Sequence, residues 1–369
     1  MELPAGDYIG MRRDEIDTPV LLVDLDALDS NIEKMAAHFR ETVKHLRPHS
    51  KSHKTPAIAH RQLEAGALGI TCAKLGEAEV MADAGIRDIL IANEIVGTKK
   101  IERLMHLATR CDIMVAVDHP ANLNALNAAA AASGVFPRVL VEVNIGHNRC
   151  GAAPGQAAVD LAQQAQNASH LRFAGIMGYE GHVVDLEDGA EREERASECL
   201  QRLVDARADI EAAGISVGIC SSSATGDYYI STRFDGITEV QAGSYALMDA
   251  AYGRLELGFE NALTVLTTVG SRPTSHQVIT DAGLKSLTPE HGFPLVKDRN
   301  DLECHALSEE HGRLRTPDGT DCTDLQVGDL LEFIPGHGCT TVNLHDYLYA
   351  MRGGQLVDVW PIAARGKVR

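Results

Sequence analysis

The chain has 369 residues, 44% of them apolar and 23% charged, enough to bury a barrel-sized core with a smaller domain beside it. Its 34 basic and 52 acidic residues give a formal net charge of −18, and no basic stripe offsets it, which argues against nucleic-acid binding. No window approaches the roughly 20 apolar residues that a membrane-spanning helix needs.

The N-terminus, Met1-Glu2-Leu3-Pro4-Ala5-Gly6-Asp7, lacks the basic-then-apolar order of a secretory signal. The eight cysteines show no paired spacing and no Cys-x-x-Cys, and several lie in apolar runs, as at Ile70-Thr71-Cys72-Ala73. Buried thiols in a reducing, cytoplasmic setting are expected.

Residues 1–18 read as a polar arm. Pro19-Val20-Leu21-Leu22-Val23-Asp24 has strand character. Asp26 or Asp29 then caps a helix to about Arg40, with Leu28, Ile32 and Met35 on one face. From Lys44 onward apolar strand-like runs fall at 45–51, 69–74, 88–93, 113–117, 138–143, 173–179, 216–221 and 237–242. Helical patterns separate them at 75–84, 99–109, 121–132, 156–165 and 189–213, and the connection at 225–234 is shorter and less helix-like. Eight strands alternating with helices predict a (β/α)8 TIM-type barrel, and the lack of Gly-x-Gly-x-x-Gly after the first strand disfavours a dinucleotide fold.

After about Leu263 the texture changes to short β-type runs at 265–269, 278–281, 330–334, 348–351 and 357–362, with no helix expected between them. The expected organisation is a barrel over 25–263 and a C-terminal all-β domain formed by 264–369 with 1–24.

In a barrel of this kind, functional residues gather at the C-terminal strand ends. The first run ends in Leu46-Arg47-Pro48-His49-Ser50-Lys51-Ser52-His53-Lys54-Thr55-Pro56, basic against an acidic background. It reads either as a solvated loop or as an anion site with a lysine for covalent cofactor attachment. Strand counting places Lys51 at the strand end and Lys54 beyond it. Asn144, His147 and Arg149 follow the fifth strand, and Tyr179 and His182 the sixth. The seventh and eighth strands lead into Ser221-Ser222-Ser223-Ala224-Thr225-Gly226 and Gln241-Ala242-Gly243-Ser244-Tyr245. These small, hydroxyl-rich loops stand where such barrels hold phosphate.

A lysine at one strand end and a phosphate cup at two others suggest pyridoxal 5′-phosphate. Ser223, Thr225, Gly226, Gly243, Ser244 and Tyr245 would form the cup. Arg149 would stand near the ring oxygen and Tyr179 against the ring. Their plainer readings are a surface ion pair and core packing. In the β-domain, His337 and Cys339 are two residues apart, so in an extended segment both face the same way. An imidazole with a thiolate suits Zn2+, whereas Mn2+ or Mg2+ would favour a carboxylate. The alternative is a buried cysteine beside an exposed histidine.

Together these pieces resemble the D-threonine aldolase and D-serine dehydratase family, which has the alanine-racemase fold (pyridoxal-phosphate fold type III). The resemblance runs from Asp17-Thr18-Pro19 to Ala363-Ala364-Arg365-Gly366. It rests on Arg47-Pro48-His49-Ser50-Lys51, Asn93-Glu94-Ile95-Val96-Gly97, Arg149-Cys150-Gly151, Asp281-Ala282-Gly283-Leu284-Lys285-Ser286 and His337-x-Cys339.

The resemblance implies cofactor attachment at Lys51, a divalent metal on His337 and Cys339, and action on D-amino acids with a β-hydroxyl. It also implies a homodimer whose active site lies between the barrel and a partner's β-domain. Cys339 stands where dehydratases carry cysteine and aldolases aspartate, whereas Lys51-Ser52-His53-Lys54 and Asn93-Glu94-Ile95-Val96-Gly97 are aldolase-like. Tyr179-Glu180-Gly181-His182 replaces the aldolase-type Tyr-His-Gly-Ser.

The leading expectation is retro-aldol cleavage of a D-β-hydroxy-α-amino acid, with His53 as a helper base or a structural residue. A D-serine or D-threo-3-hydroxyaspartate dehydratase is the alternative. A metal-free racemase and a non-catalytic cofactor carrier are more distant rivals.

Overall fold

A computed structural model describes residues 8–369 apart from residue 323. The first seven residues, where the expected arm begins, lie outside the described residues. In chain order, β1 (Val20–Asp24) leads into α1 (Leu25–Arg40). Asp24 caps this helix, its Oδ1 accepting from the Asp26 and Ala27 amides at 2.9 and 3.2 Å. The cap therefore lies earlier than the Asp26 or Asp29 expected, because Leu25 is buried and belongs to the helix.

The alternating part follows as β2 (His45–Leu46), α2 (Pro56–Glu64), β3 (Ile70–Cys72), α3 (Leu75–Asp83), β4 (Asp88–Glu94) and α4 (Thr98–Ala108). It continues with β5 (Asp112–Val117), α5 (Pro120–Ser133), β6 (Arg138–Glu142), α6 (Gln156–Asn167), β7 (Arg172–Met177) and α7 (Gly189–Ala212). It ends with β8 (Ile219–Ser222), the short α8 (Tyr228–Ser231) and β9 (Glu239–Val240). All eight strands are parallel in the order β2-β9-β8-β7-β6-β5-β4-β3. A parallel bridge between His49 and Thr71 joins the two ends, making the expected barrel.

Why these runs read as unbroken apolar stretches is visible in their two faces. Leu90, Met114, Ala116, Leu140 and Met177 form one cluster of barrel-facing side chains. Their neighbours Ile89, Ile91, Ile113, Val115, Val139 and Val141 belong to the larger core shared with the helices. Both faces are dry, so alternation disappears from the sequence.

The seam between β2 and β3 is narrow, and polar bonds reinforce it. Thr71 donates its amide to the Pro48 carbonyl at 2.9 Å and its hydroxyl to the Arg47 carbonyl at 2.9 Å. Arg47 is fully buried, binding Glu239 at 2.9 Å and Asp88 at 2.8 Å. Burial works against its charge, but the two carboxylates outweigh it and raise its pKa.

The remainder is α9 (Ala250–Gly253), β10 (Leu263–Thr274), β11 (Gln277–Thr280), β12 (Leu295–Val296), β13 (Glu303–Leu307) and β14 (Gly312–Arg315). Then come β15 (Leu330–Ile334), α10 (Gly338–Val342), β16 (Tyr347–Arg352) and β17 (Gln355–Pro361). The sheet order β11-β14-β13-β12-β15-β10-β1-β16-β17, with β11 also pairing β10, closes six strands into a ring. Strand β1 joins this sheet, antiparallel to β10 and parallel to β16. The helix α10 corrects the expectation of an all-strand segment there.

By internal packing the chain forms two units. One comprises, among the described residues, 35–51, 56–243 and 366–369, and the other the chain up to 34 with 52–55 and 244–365. Among the described residues, no helix is long and apolar enough to cross a membrane.

Candidate active site

Five neighbouring barrel strands carry the candidate cofactor residues just past their C-terminal ends. In sheet order these are Lys51 after β2, Gly243 after β9, the Ser223–Gly226 stretch after β8, Tyr179 after β7 and Arg149 after β6. Lys51 lies in a single 3-10 turn, Ser50–Ser52, rather than in the strand itself, whose ladder stops at Leu46. Its Nζ stands 5.6 Å from the centroid of the Tyr179 ring. The Arg149 guanidinium stands 5.5 Å from the same centroid, and His147 meets the ring edge-on at 5.6 Å. Gly181 makes room for this ring, since a Cβ there would overlap it.

The 144–152 loop holds Arg149 in place through backbone bonds. The Asn144 amide donates to the Ala152 carbonyl at 2.9 Å, and Ala152 donates to the Glu142 carbonyl at 2.8 Å. The Asn144 side chain accepts from the amides of Gly146 and Asn148 at 3.0 and 3.2 Å. Burial, then the charge of Arg149, lowers the pKa of His147, as expected for an imidazole among cations.

The two loops of the candidate cup start side by side because β8 and β9 pair in register, Ser222 opposite Val240. Gln241 ties them together, donating its amide to the Ser222 carbonyl at 3.0 Å and its side-chain nitrogen to Ser221 Oγ at 2.9 Å. Ser223, Thr225 and Gly226 are buried, and the Ser223 backbone is left-handed at φ 79°. Gly243 packs on the His49 carbonyl, where a Cβ would overlap it. Ser244 opens the 3-10 turn Ser244–Ala246, and Tyr245 is buried with its ring 5.8 Å from Phe259. His53 is buried, and its Nδ1 accepts from the Thr55 amide at 3.1 Å, a bond that shapes the local turn.

The β-domain pair differs from the extended geometry expected. His337 is the residue before α10, and Cys339 lies in that helix's first turn. The two side chains are nevertheless close enough for Cys339 to act on the His337 imidazole. His337 Nδ1 lies 3.0 Å from Asp249 Oδ2, and the same oxygen accepts from the Gly338 amide at 2.8 Å. Burial opposes the imidazolium, but the bonds to Asp249 and Cys339 outweigh it and raise the His337 pKa to about 10. With Nδ1 engaged by a carboxylate, Nε2 is the nitrogen left to bind a metal, the arrangement that commonly orients ligating histidines. Asp249 escaped the sequence reading. Its only local signal is as cap of the short α9, through a 2.9 Å bond from the Tyr252 amide.

A second group also escaped it. Glu94, Asp118 and Cys150 bring their ligand atoms within 4.8 Å of one another at the ends of β4, β5 and the β6 loop. Burial and the neighbouring Glu94 push Glu142 up to about 8. Asp118 holds the Gly151 amide at 3.1 Å, so this acidic group braces the loop that carries Arg149.

The residues present fit pyridoxal phosphate and a divalent metal. The lysine and arginine share one aromatic ring, the adjacent strand ends are small and hydroxyl-rich, and an imidazole–thiol pair is backed by a buried carboxylate.

Residues 23–251 match the family model described as "Alanine racemase, N-terminal domain", and residues 262–351 match "Putative serine dehydratase domain". A D-threonine aldolase from Arthrobacter sp is 41% identical over 95% of this chain and 93% of its own length. The chain belongs to the D-threonine aldolase and D-serine dehydratase family. A 3-hydroxy-D-aspartate aldolase of Paracoccus denitrificans (strain Pd 1222) is 37% identical over 97% of this chain and 94% of its own. The crystal structure of D-threonine aldolase from Filomicrobium marinum superposes with a TM-score of 0.96 at 39% identity, covering 98% of this chain and 99% of that one. A D-threo-3-hydroxyaspartate dehydratase from Delftia sp. (strain HT23) is 28% identical over 94% of this chain and 97% of its own. The fold is thus that of a pyridoxal-phosphate-dependent family whose members are lyases.

Proposed function

We propose that the protein is a pyridoxal-phosphate- and metal-dependent lyase that cleaves the Cα–Cβ bond of D-β-hydroxy-α-amino acids, giving an aldehyde and glycine or a related amino acid. The observation that carries the aldolase reading is the 41% and 37% identity to two aldolases over nearly the whole chain, against 28% to the dehydratase.

Held on the Lys51 amine, pyridoxal phosphate would supply an electron sink. A divalent metal supplies Lewis acidity toward the β-hydroxyl, and the Cys339 thiolate favours Zn2+ over Mn2+ or Mg2+. The chain's own residues do the rest. Ser223, Thr225, Gly226, Gly243, Ser244 and Tyr245 hold the phosphate. Tyr179 and Arg149 orient the ring. His337 and Cys339 hold the metal, and Asp249 keeps His337 turned with Nε2 outward. Lys51 would hold the cofactor and would supply or return a proton at Cα. His53 serves as a supporting base or as a structural residue of the turn.

The working form is a homodimer in the cytoplasm, in which the β-domain of a second copy completes the site. Cys339 favours one second reading, because dehydratases of the family carry cysteine at this position. In that reading Lys51 removes the α-proton and the β-hydroxyl leaves, giving a 2-oxo acid and ammonia.

The metal requirement tests the reading. Turnover of D-threonine should stop when a chelator strips the protein and return with Zn2+ or Mn2+. Amino-acid turnover that ignores the chelator would contradict it and point to a racemase.

A further inference from the structure

Glu180 and Asp227 have no role so far, and both are completely buried. Glu180 follows Tyr179, and Asp227 closes the loop that starts at Ser223. Glu180 Oε2 lies 2.7 Å from Ser222 Oγ, whose hydroxyl is also 2.9 Å from the Gly178 carbonyl. Asp227 Oδ1 accepts both the Ser223 hydroxyl and the Ala224 amide at 2.8 Å. One oxygen of each carboxyl, Glu180 Oε1 and Asp227 Oδ2, is buried with no hydrogen-bond partner, and the two carboxyls lie close enough to interact.

Two adjoining carboxylates cannot both stay ionised in a dry site without a large penalty. A single proton between the two orphaned oxygens satisfies both. We propose that Glu180 carries this proton and that the Glu180–Asp227 pair is a latch fixing the 222–227 loop in the shape that holds the cofactor phosphate. Both are positioning residues. The inference rests on the assignment of that loop to the phosphate.

Two further observations fit a latch. Ser223 adopts φ 79°, a left-handed conformation unfavourable for a side-chain-bearing residue, and the bond to Asp227 holds it there. Glu180 also adjoins Tyr179, so the latch couples the ring contact to the cup. The chain places a buried acid next to the ring residue instead of the histidine expected from the aldolase pattern.

The titratable groups around the pair are few. Cys199 on α7 is pushed up to about 11 by burial and by the Glu180 charge, and His182 lies 3.8 Å from its sulfur. Arg195 and Arg202, which lower the His182 pKa after burial, lie beyond, and Tyr228 follows Asp227 in the chain. Burial and Asp227 together raise Glu180 well above the usual carboxyl range. The latch is therefore closed at low pH, where Glu180 keeps its proton. It opens as pH rises through that raised value, when two carboxylates face each other.

The test compares wild type, Glu180→Gln and Glu180→Ala. The glutamine amide donates the same bond to Asp227 but has no proton to lose. In the wild type, cofactor release, followed by loss of the visible band under trapping, should accelerate about tenfold as pH rises through the raised Glu180 value, the scale of one lost charge-assisted hydrogen bond. Glu180→Gln should show no such rise, and Glu180→Ala should release quickly at every pH. Infrared difference spectra of cofactor-free wild type against Glu180→Gln should show a protonated-carboxyl band present only in the wild type. A glutamine variant that keeps the alkaline rise, or infrared spectra that do not differ, would overturn the latch. A protein that takes up no pyridoxal phosphate would sink the proposed function, while the infrared comparison would still decide the latch.

Discussion

At the residue scale, the candidate site consists of side chains whose partners are set by the loops around them. Lys51 shares the Tyr179 ring with Arg149 at 5.6 and 5.5 Å, so this cluster gathers positive charge in a chain of net charge −18. Lys51→Ala should abolish the visible absorption of the attached cofactor and reduce kcat to background, and a variant that kept the band would show another lysine in that role.

Asp249 makes a sharper case, because both its oxygens accept from N–H groups. Oδ2 serves His337 and Gly338, and Oδ1 serves Tyr252. An asparagine side chain in its place would set its NH2 against a donor whichever way it turned. Asp249→Asn should therefore weaken Zn2+ binding about 10–100-fold in a chelator-competition titration, and unchanged affinity would remove Asp249 from the site.

The positions of Lys51, Arg149 and Tyr179 just past strand ends were readable in the sequence because strand ends can be counted. Asp249 was not, because it acts on a histidine 88 residues away and locally reads only as a helix cap.

At the scale of elements, short β2 and β9 position candidate cofactor residues, since their ladders stop after two residues and release the chain into turns. Gly243 follows β9 and presses on the carbonyl of His49, which precedes the turn bearing Lys51. Gly243→Ala should displace that turn, lowering cofactor affinity measured by spectrophotometric titration and costing about 1–3 kcal/mol of stability, as overpacking does. Wild-type affinity would mean that the His49 turn moves aside freely.

The eight barrel strands stood out in the sequence because each is an apolar run between helical periods. Strands β12, β13 and β14 were missed because they are short and half polar, with Glu303, His305, Arg313 and Arg315 among them. Helix α10 was missed because Gly-Cys-Thr-Thr-Val has low helical preference, and its start is fixed by Asp249 bonding the Gly338 amide.

At the scale of the molecule, the cysteines divide by surroundings. Six are buried, and the two that are only partly so are Cys150 and Cys339, at the acidic cluster and at the candidate metal pair. The acidic cluster also gives a pH signature. Glu142 holds its proton in the fold up to about 8, whereas the unfolded chain releases it near 4.5. The folded state binds the extra proton between those values, so its stabilising contribution is complete below about 4.5 and declines as pH rises to about 8. Calorimetric melting temperatures should fall across that window, and Glu142→Gln should make the fall shallower. An unchanged slope would contradict this account of the cluster.

Domain type and family were legible across the whole chain, since composition, alternation and co-linear motifs agree. The bond that is broken was not, because both readings call on the same candidate lysine, cup and metal pair. Product identity tests that central claim most directly. With pyridoxal phosphate and Zn2+ or Mn2+ present, D-3-hydroxyaspartate and D-threonine should each yield glycine and an aldehyde in equal amounts, with no ammonia. Release of a 2-oxo acid and ammonia instead, or of neither product set, would contradict it.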